Sequence, residues 1–239
     1  MTRPLVIAHL YPKEMSIYGD RGNILTLVQR LAWRGLAAEV LEVPSGEPCN
    51  FADVDVVFAG GGQDRGQELV AADLQSRSDD LHAAASSGVV MLVVCGTYQL
   101  FGRRFVTLGG AELSGIGIFG AETVATKRRM VGNVVIDSEW GQLVGFENHS
   151  GETVLDHDQP PLGRVVHGYG NSGDGIAEGA VRDHVYGTYL HGPLLPKNPA
   201  FADHLLLTAV QRAGIADTLE PLDDRWEHAA ASVARALPQ

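Results

Sequence analysis

The sequence predicts an α/β protein built on a doubly wound, mostly parallel sheet extended by antiparallel strands. Three observations predict it. Short apolar runs at residues 5–10, 40–43, 54–59 and 89–94 alternate with segments of helical periodicity. The runs at 54–59 and 89–94 lead straight into glycine, at Gly60-Gly61-Gly62 and at Cys95-Gly96. After about residue 103 the pattern changes to short strands separated by glycine and asparagine turns.

Taken in order, residues 5–10 suit a buried parallel strand. A turn-rich loop covers 11–22, and Ile24, Leu27, Val28 and Leu31 then recur at helical spacing until Gly35. Strands follow at 40–43 and 54–59. An alanine-rich helical pattern runs from 69 to 87, the fourth strand spans 89–94, and helix resumes at 98–101. Alternation of this kind argues a parallel sheet with helices on both faces. Shorter strands at 132–136, 143–146, 164–167 and 185–190 add antiparallel pieces, and helices at 199–213 and 223–237 close the chain. No repeat or linker marks a boundary. Residues 1–239 are read as one domain with a C-terminal helical extension from about 215.

The net charge of −11 argues against nucleic acid and anionic membrane surfaces as partners. Two cysteines do not make a disulfide scaffold. The apolar run at 5–8 is too short for a signal peptide, and no stretch approaches the ~20 apolar residues of a membrane helix. A cytoplasmic protein without membrane insertion is the expectation. No metal-ligand pattern stands out and no cofactor is implied.

Cys95 ends an apolar strand immediately before a helix. Ligands of open α/β sheets bind at that edge. A tight strand–turn–helix elbow holds a side chain clear of the sheet, and the helix N-terminus favours thiolate. The amide of Gly96 can face a developing oxyanion. The competing reading is a buried structural cysteine, since free cysteine is among the most buried residue types. Cys49, in a loop, has no such context.

Gly60-Gly61-Gly62-Gln63-Asp64 follows another strand and belongs at the same edge. Glycines let backbone amides approach a ligand, and Gly62 is the candidate to pair with Gly96 around a tetrahedral oxygen. A phosphate cradle competes, but the Lys-Ser/Thr pair of a Walker loop is absent; a plain flexible turn competes as well. A cysteine nucleophile needs a base. Of nine histidines, His191 ends a strand before Gly192-Pro193, and His149 and His167 are its rivals beside turns.

Together, Gly60-Gly61-Gly62-Gln63-Asp64, Cys95-Gly96-Thr97-Tyr98-Gln99-Leu100 and Gly187-Thr188-Tyr189-Leu190-His191-Gly192 resemble class I glutamine amidotransferases of the cobyric acid synthase type. The stretch 145–153, with Glu147 and His149, is similar to a further motif of that group. Leu10-Tyr11-Pro12 and Ile17-Tyr18-Gly19-Asp20-Arg21-Gly22-Asn23 look like the GatD-type glutaminase subunits of lipid II isoglutaminyl synthase. The resemblance implies hydrolysis of L-glutamine through a thioester on Cys95 with His191 as base. It implies Arg129 and Gln99 as substrate-binding residues, although a solvated Lys127-Arg128-Arg129 cluster explains Arg129 equally well. It also implies heterodimerisation with a MurT-like Mur-ligase subunit that uses the ammonia to amidate D-glutamate in the lipid II stem peptide. The alternatives are a cobyric-acid-type amidotransferase, whose large ATP-binding domain this chain lacks, and an inactive partner-binding scaffold.

Two departures stand out. The family more often has glycine where this chain has Val93 and Thr97, so the elbow is bulkier. Many class I glutaminases place a glutamate two residues after the base, where this chain has Pro193. An unoriented imidazole catalyses poorly. The expected remedies are a carboxylate from the partner, which would make activity depend on the complex, or Glu147.

Overall fold

The computed structural model describes residues 3–16 and 19–237. Ile17 and Tyr18, part of the N-terminal motif, lie outside the described residues. The first half alternates strand and helix. It comprises β1 (Leu5–Leu10), α1 (Arg21–Ala32), β2 (Ala38–Val43), β3 (Val56–Ala59), α2 (Asp64–Ser76), α3 (Ser78–Ser86), β4 (Val90–Val94) and α4 (Gly96–Phe101). The expected single helix over 69–87 is two helices, broken at Arg77, whose guanidinium turns back to the Asp73 carboxylate and the Glu47 carbonyl.

The second half holds β5 (Arg104–Val106), β6 (Glu112–Ser114), β7 (Ala121–Ser138), β8 (Gly141–Leu155), β9 (Gly163–His167), β10 (Ala177–Glu178), β11 (Ala180–Arg182) and β12 (Val185–Thr188). Helices α5 (Pro199–Arg212) and α6 (Arg225–Ala236) follow.

The central sheet has the order β11-β12-β4-β3-β1-β2, parallel throughout except for β11 at the edge. Strands β3 and β4 are buried at every residue, as a sheet covered on both faces requires. The antiparallel extension takes two forms. β11 lengthens the central sheet, whereas the remaining strands build a second sheet, β10-β9-β7-β5-β6, with β8 paired to β7. The β7–β8 hairpin is far longer than the short strands suggested by its glycine and asparagine punctuation, and its register breaks between Ala125 and Met130.

Strand order reverses between β1 and β3, which opens a crevice at the C-terminal ends of the strands. Four segments leave that edge side by side: residues 11–16 after β1, 60–62 after β3, 95–96 after β4 and 189–191 after β12. The C-terminal arm is held to this frame by Arg30, whose buried guanidinium pairs with Asp203 at 2.6 Å and Asp224 at 2.7 Å. Helix α6 lays Ala231 against Val135 and Val144 of the hairpin. Among the described residues no helix is long and apolar enough to cross a membrane.

Candidate active site

Cys95 stands at the N-terminus of α4 with φ 52° and ψ −109°. Among the described residues only two other non-glycine residues, Tyr11 and Asp183, have positive φ. Such a conformation costs about 1–3 kcal/mol and persists only where the surroundings enforce it. Here β4 enforces it, together with the hydrogen bond from the Cys95 amide to the Thr188 carbonyl at 2.8 Å. That bond also ties the elbow to the strand leading to His191. Cys95 is 5% exposed and borders a cavity of about 330 Å³. This is at the low end of the ~300–1,000 Å³ of small-molecule sites. A larger cleft of about 530 Å³ between Arg103, Asp156 and Arg182 contains neither thiol nor imidazole.

His191 lies three residues beyond β12 and is held through its backbone by Phe146 of β8, donating to its carbonyl at 2.8 Å and accepting from its amide at 3.1 Å. Its Nδ1–H points at Asp20 Oδ1, 3.2 Å away. The other oxygen, Oδ2, accepts the Gly61 amide at 2.7 Å. Asp20 is fully buried and His191 nearly so. The meeting of the three side chains is measured by Gly61. A methyl group there would lie 2.5 Å from His191 Cε1, 3.1 Å from Cys95 Cβ and 3.3 Å from Asp20 Oδ2. Glycine at 61 is therefore a packing requirement of the site.

Burial alone would lower the pKa of His191. The Cys95 sulfur and the Asp20 carboxylate, each by charge and by hydrogen bond, outweigh it and push the value up to about 10. The imidazole thus favours its charged form beside sulfur.

Within this chain the carboxylate that reaches His191 is that of Asp20 and not that of Glu147. Glu147 is occupied elsewhere. Its carboxylate accepts the amides of Tyr169 at 2.6 Å and Gly170 at 3.0 Å and lies 3.6 Å from His149 Nε2. Pro193, the residue in place of the usual glutamate, has a different task. It packs so tightly on the start of α1 that a methyl at Gly22 would come within 2.4 Å of its ring. This contact packs the turn after His191 against the segment that carries Asp20.

Gly62 borders the cavity beside Cys95, and Gly96 is the first residue of α4, its carbonyl taken by Gln67. Gln99 also faces the cavity, but both ends of its amide are engaged. Oε1 accepts from Gln67 at 2.7 Å, and Nε2 donates to the Tyr189 hydroxyl at 3.0 Å. It can stiffen the wall as well as touch a ligand. Arg129 sits in the register break of the β7–β8 hairpin, which aims its guanidinium at the cavity, where Asn148 Oδ1 accepts from it at 2.7 Å and 3.0 Å. His167 and Cys49 do not border the cavity, whereas His149 lines it, stacked on Tyr189 at 3.6 Å. Among the described residues no cluster of three or more His, Cys, Asp or Glu could hold a metal.

The parallel sheet with its elbow thiol and the second, mostly antiparallel sheet are the fold of class I glutamine amidotransferases. Solved structures share it: PurLQS of Thermotoga maritima superposes with a TM-score of 0.61 at 14% identity, over 87% of this chain and all of that one. A glutamine amidotransferase of the same organism gives 0.55 at 13% identity, over 98% and 94%. Residues 6–199 match the CobB/CobQ-like glutamine amidotransferase domain, and the chain belongs to that family. Lipid II isoglutaminyl synthase (glutamine-hydrolyzing) subunit GatD of Staphylococcus aureus is 39% identical, over 93% of this chain and 91% of its own length. The Streptococcus pneumoniae protein of the same name is 37% identical over 87% and 81%. A probable cobyric acid synthase of Methanothermobacter thermautotrophicus is 31% identical over 73% of this chain but only 36% of that protein.

Proposed function

We propose that the chain is the glutaminase subunit of a lipid II isoglutaminyl synthase and acts in the cytoplasm in peptidoglycan synthesis. The observation that carries the chemistry is the convergence of Cys95, His191 and Asp20 around Gly61. The Cys95 thiolate attacks the side-chain carboxamide carbon of L-glutamine. The amides of Gly62 and Gly96 hold the resulting oxyanion. His191, kept charged by its two neighbours, gives a proton to the amide nitrogen, and ammonia leaves. His191 then takes a proton from water as that water cleaves the glutamyl thioester, releasing glutamate. Arg129 meets the substrate α-carboxylate as a guanidinium fork, with Gln99 in the wall beside it.

The near full-length likeness to GatD subunits supports a MurT-like ligase as the partner that consumes the ammonia. The likeness to cobyric acid synthases spans only about a third of those proteins. The test is glutamate and ammonia release from L-glutamine by the purified chain, alone and co-expressed with a Mur-type ligase. A glutamine-mimicking electrophile should label Cys95, and Cys95→Ala should abolish both signals. Turnover that survives in Cys95→Ala rejects the reading.

A further inference from the structure

The bulkier elbow noted in the sequence has a structural counterpart. Thr97, in the first turn of α4 and 1% exposed, donates its hydroxyl to the Gly60 carbonyl at 2.6 Å. The Gly60 carbonyl and the Gly61 amide belong to one peptide unit, and in a trans peptide they point in opposite directions. On the opposite side, the Gly61 amide donates to Asp20 Oδ2 at 2.7 Å. This single peptide plane is therefore gripped from both sides, by the nucleophile's helix and by the carboxylate that orients the base. The next amide along the chain is that of Gly62. Met15 packs against both Gly62 and Gly96: its sulfur would lie 2.5 Å from a methyl at Gly62 and its terminal methyl 2.9 Å from one at Gly96.

A glycine loop is ordinarily free to rotate its peptide planes. This one is not. We infer that Thr97 is a positioning residue which clamps the Gly60–Gly61 peptide and so presets the Gly62 amide as an oxyanion donor before substrate or partner binds. The inference rests on the glutaminase reading and on Gly62 as a donor. A glycine at 97 would have no hydroxyl and could not make this clamp.

Thr97→Val keeps the shape and removes the hydroxyl; Thr97→Ala removes it with no steric demand; Thr97→Ser keeps it. Each is assayed in the full chain, alone and with the co-expressed ligase. Two reactions of Cys95 are compared. Glutamine hydrolysis builds an oxyanion, whereas iodoacetamide is attacked at a methylene carbon, iodide leaves, and no oxyanion forms. Loss of one oxyanion donor costs on the order of 10²–10³ in kcat, so a misaligned one should cost about tenfold or more. The expected result is that fall in kcat for Thr97→Val and Thr97→Ala, an unchanged KM, an unchanged alkylation rate, and recovery in Thr97→Ser. The inference is overturned if the valine and alanine variants hydrolyse glutamine like the parent. A serine variant as slow as they are, or alkylation that falls in step with hydrolysis, overturns it too. A parent chain that releases no ammonia in either form overturns the glutaminase reading itself.

Discussion

Replacing Asp20 by Asn keeps the size of the side chain and removes its charge. The amide oxygen can still accept the Gly61 amide, but the NH2 group then faces His191 Nδ1. That nitrogen must become an acceptor, so the ring proton moves to Nε2, and the nitrogen needed as base is blocked. The electrostatic loss can be sized. A rise in the His191 pKa from 6.5 to about 10 corresponds to about 5 kcal/mol in favour of the charged ring. Asp20 and Cys95 each contribute by charge and by hydrogen bond. Burial opposes both, so removing the Asp20 charge leaves the Cys95 sulfur alone to offset the desolvation of the ring, and the imidazolium population falls. The wrong tautomer deepens the defect toward the ~10⁴-fold loss known when the acid of a Ser-His-Asp triad becomes an amide. We expect kcat to fall by about 10²–10³, with KM little changed because Asp20 does not border the cavity. The assay is steady-state ammonia release across pH, with thermal melting to confirm the fold. Activity of Asp20→Asn within threefold of the parent would show that the orienting acid lies elsewhere, and the assignment would fail.

Two further outcomes are expected. Gly61→Ala would place its methyl against His191 Cε1 and Cys95 Cβ, so we expect at least a hundredfold loss of turnover with a native circular dichroism spectrum, about the cost of a misplaced reacting group. Retained activity would mean that the three side chains do not meet as described. Glu178, fully buried, has its pKa raised from 4.5 to about 8, chiefly by burial, against hydrogen bonds from the Tyr189 amide and the Thr188 hydroxyl. The folded state therefore binds this proton more tightly than the unfolded chain. Its stabilisation is complete below about pH 4.5 and disappears as pH rises through 8. Glu178→Gln should match the parent in melting temperature at pH 5 and exceed it at pH 9, and the reverse order would contradict the assignment.

Much of this site was legible in the sequence because strand ends have a local signature. An apolar run that breaks into glycine marks the sheet edge, which sufficed for Cys95, for the loop at 60–62 and, with the family resemblance, for His191. Asp20 was not legible in that way. It lies 171 residues from its partner, in a turn-rich loop with no pattern that singles out a carboxylate. The signal available was negative: proline at the position two after the base meant that the acid had to come from another segment. Glu147, the internal candidate, is turned instead toward the backbone at 169–170. The fold shows the same division. Periodicity gave the parallel strands, but the break at Arg77 and the second sheet depend on contacts between distant residues.

The reactive constellation is drawn from positions 20, 95 and 191, which brackets nearly the whole sheet in synthesis order. A ribosome-bound chain that has released only its first hundred or so residues carries the sulfur, the elbow and the carboxylate, yet lacks the imidazole of His191. A product truncated before β12 would keep the elbow thiol and the carboxylate but not the ring that stands between them, so the constellation closes only once the last strand of the central sheet has been made.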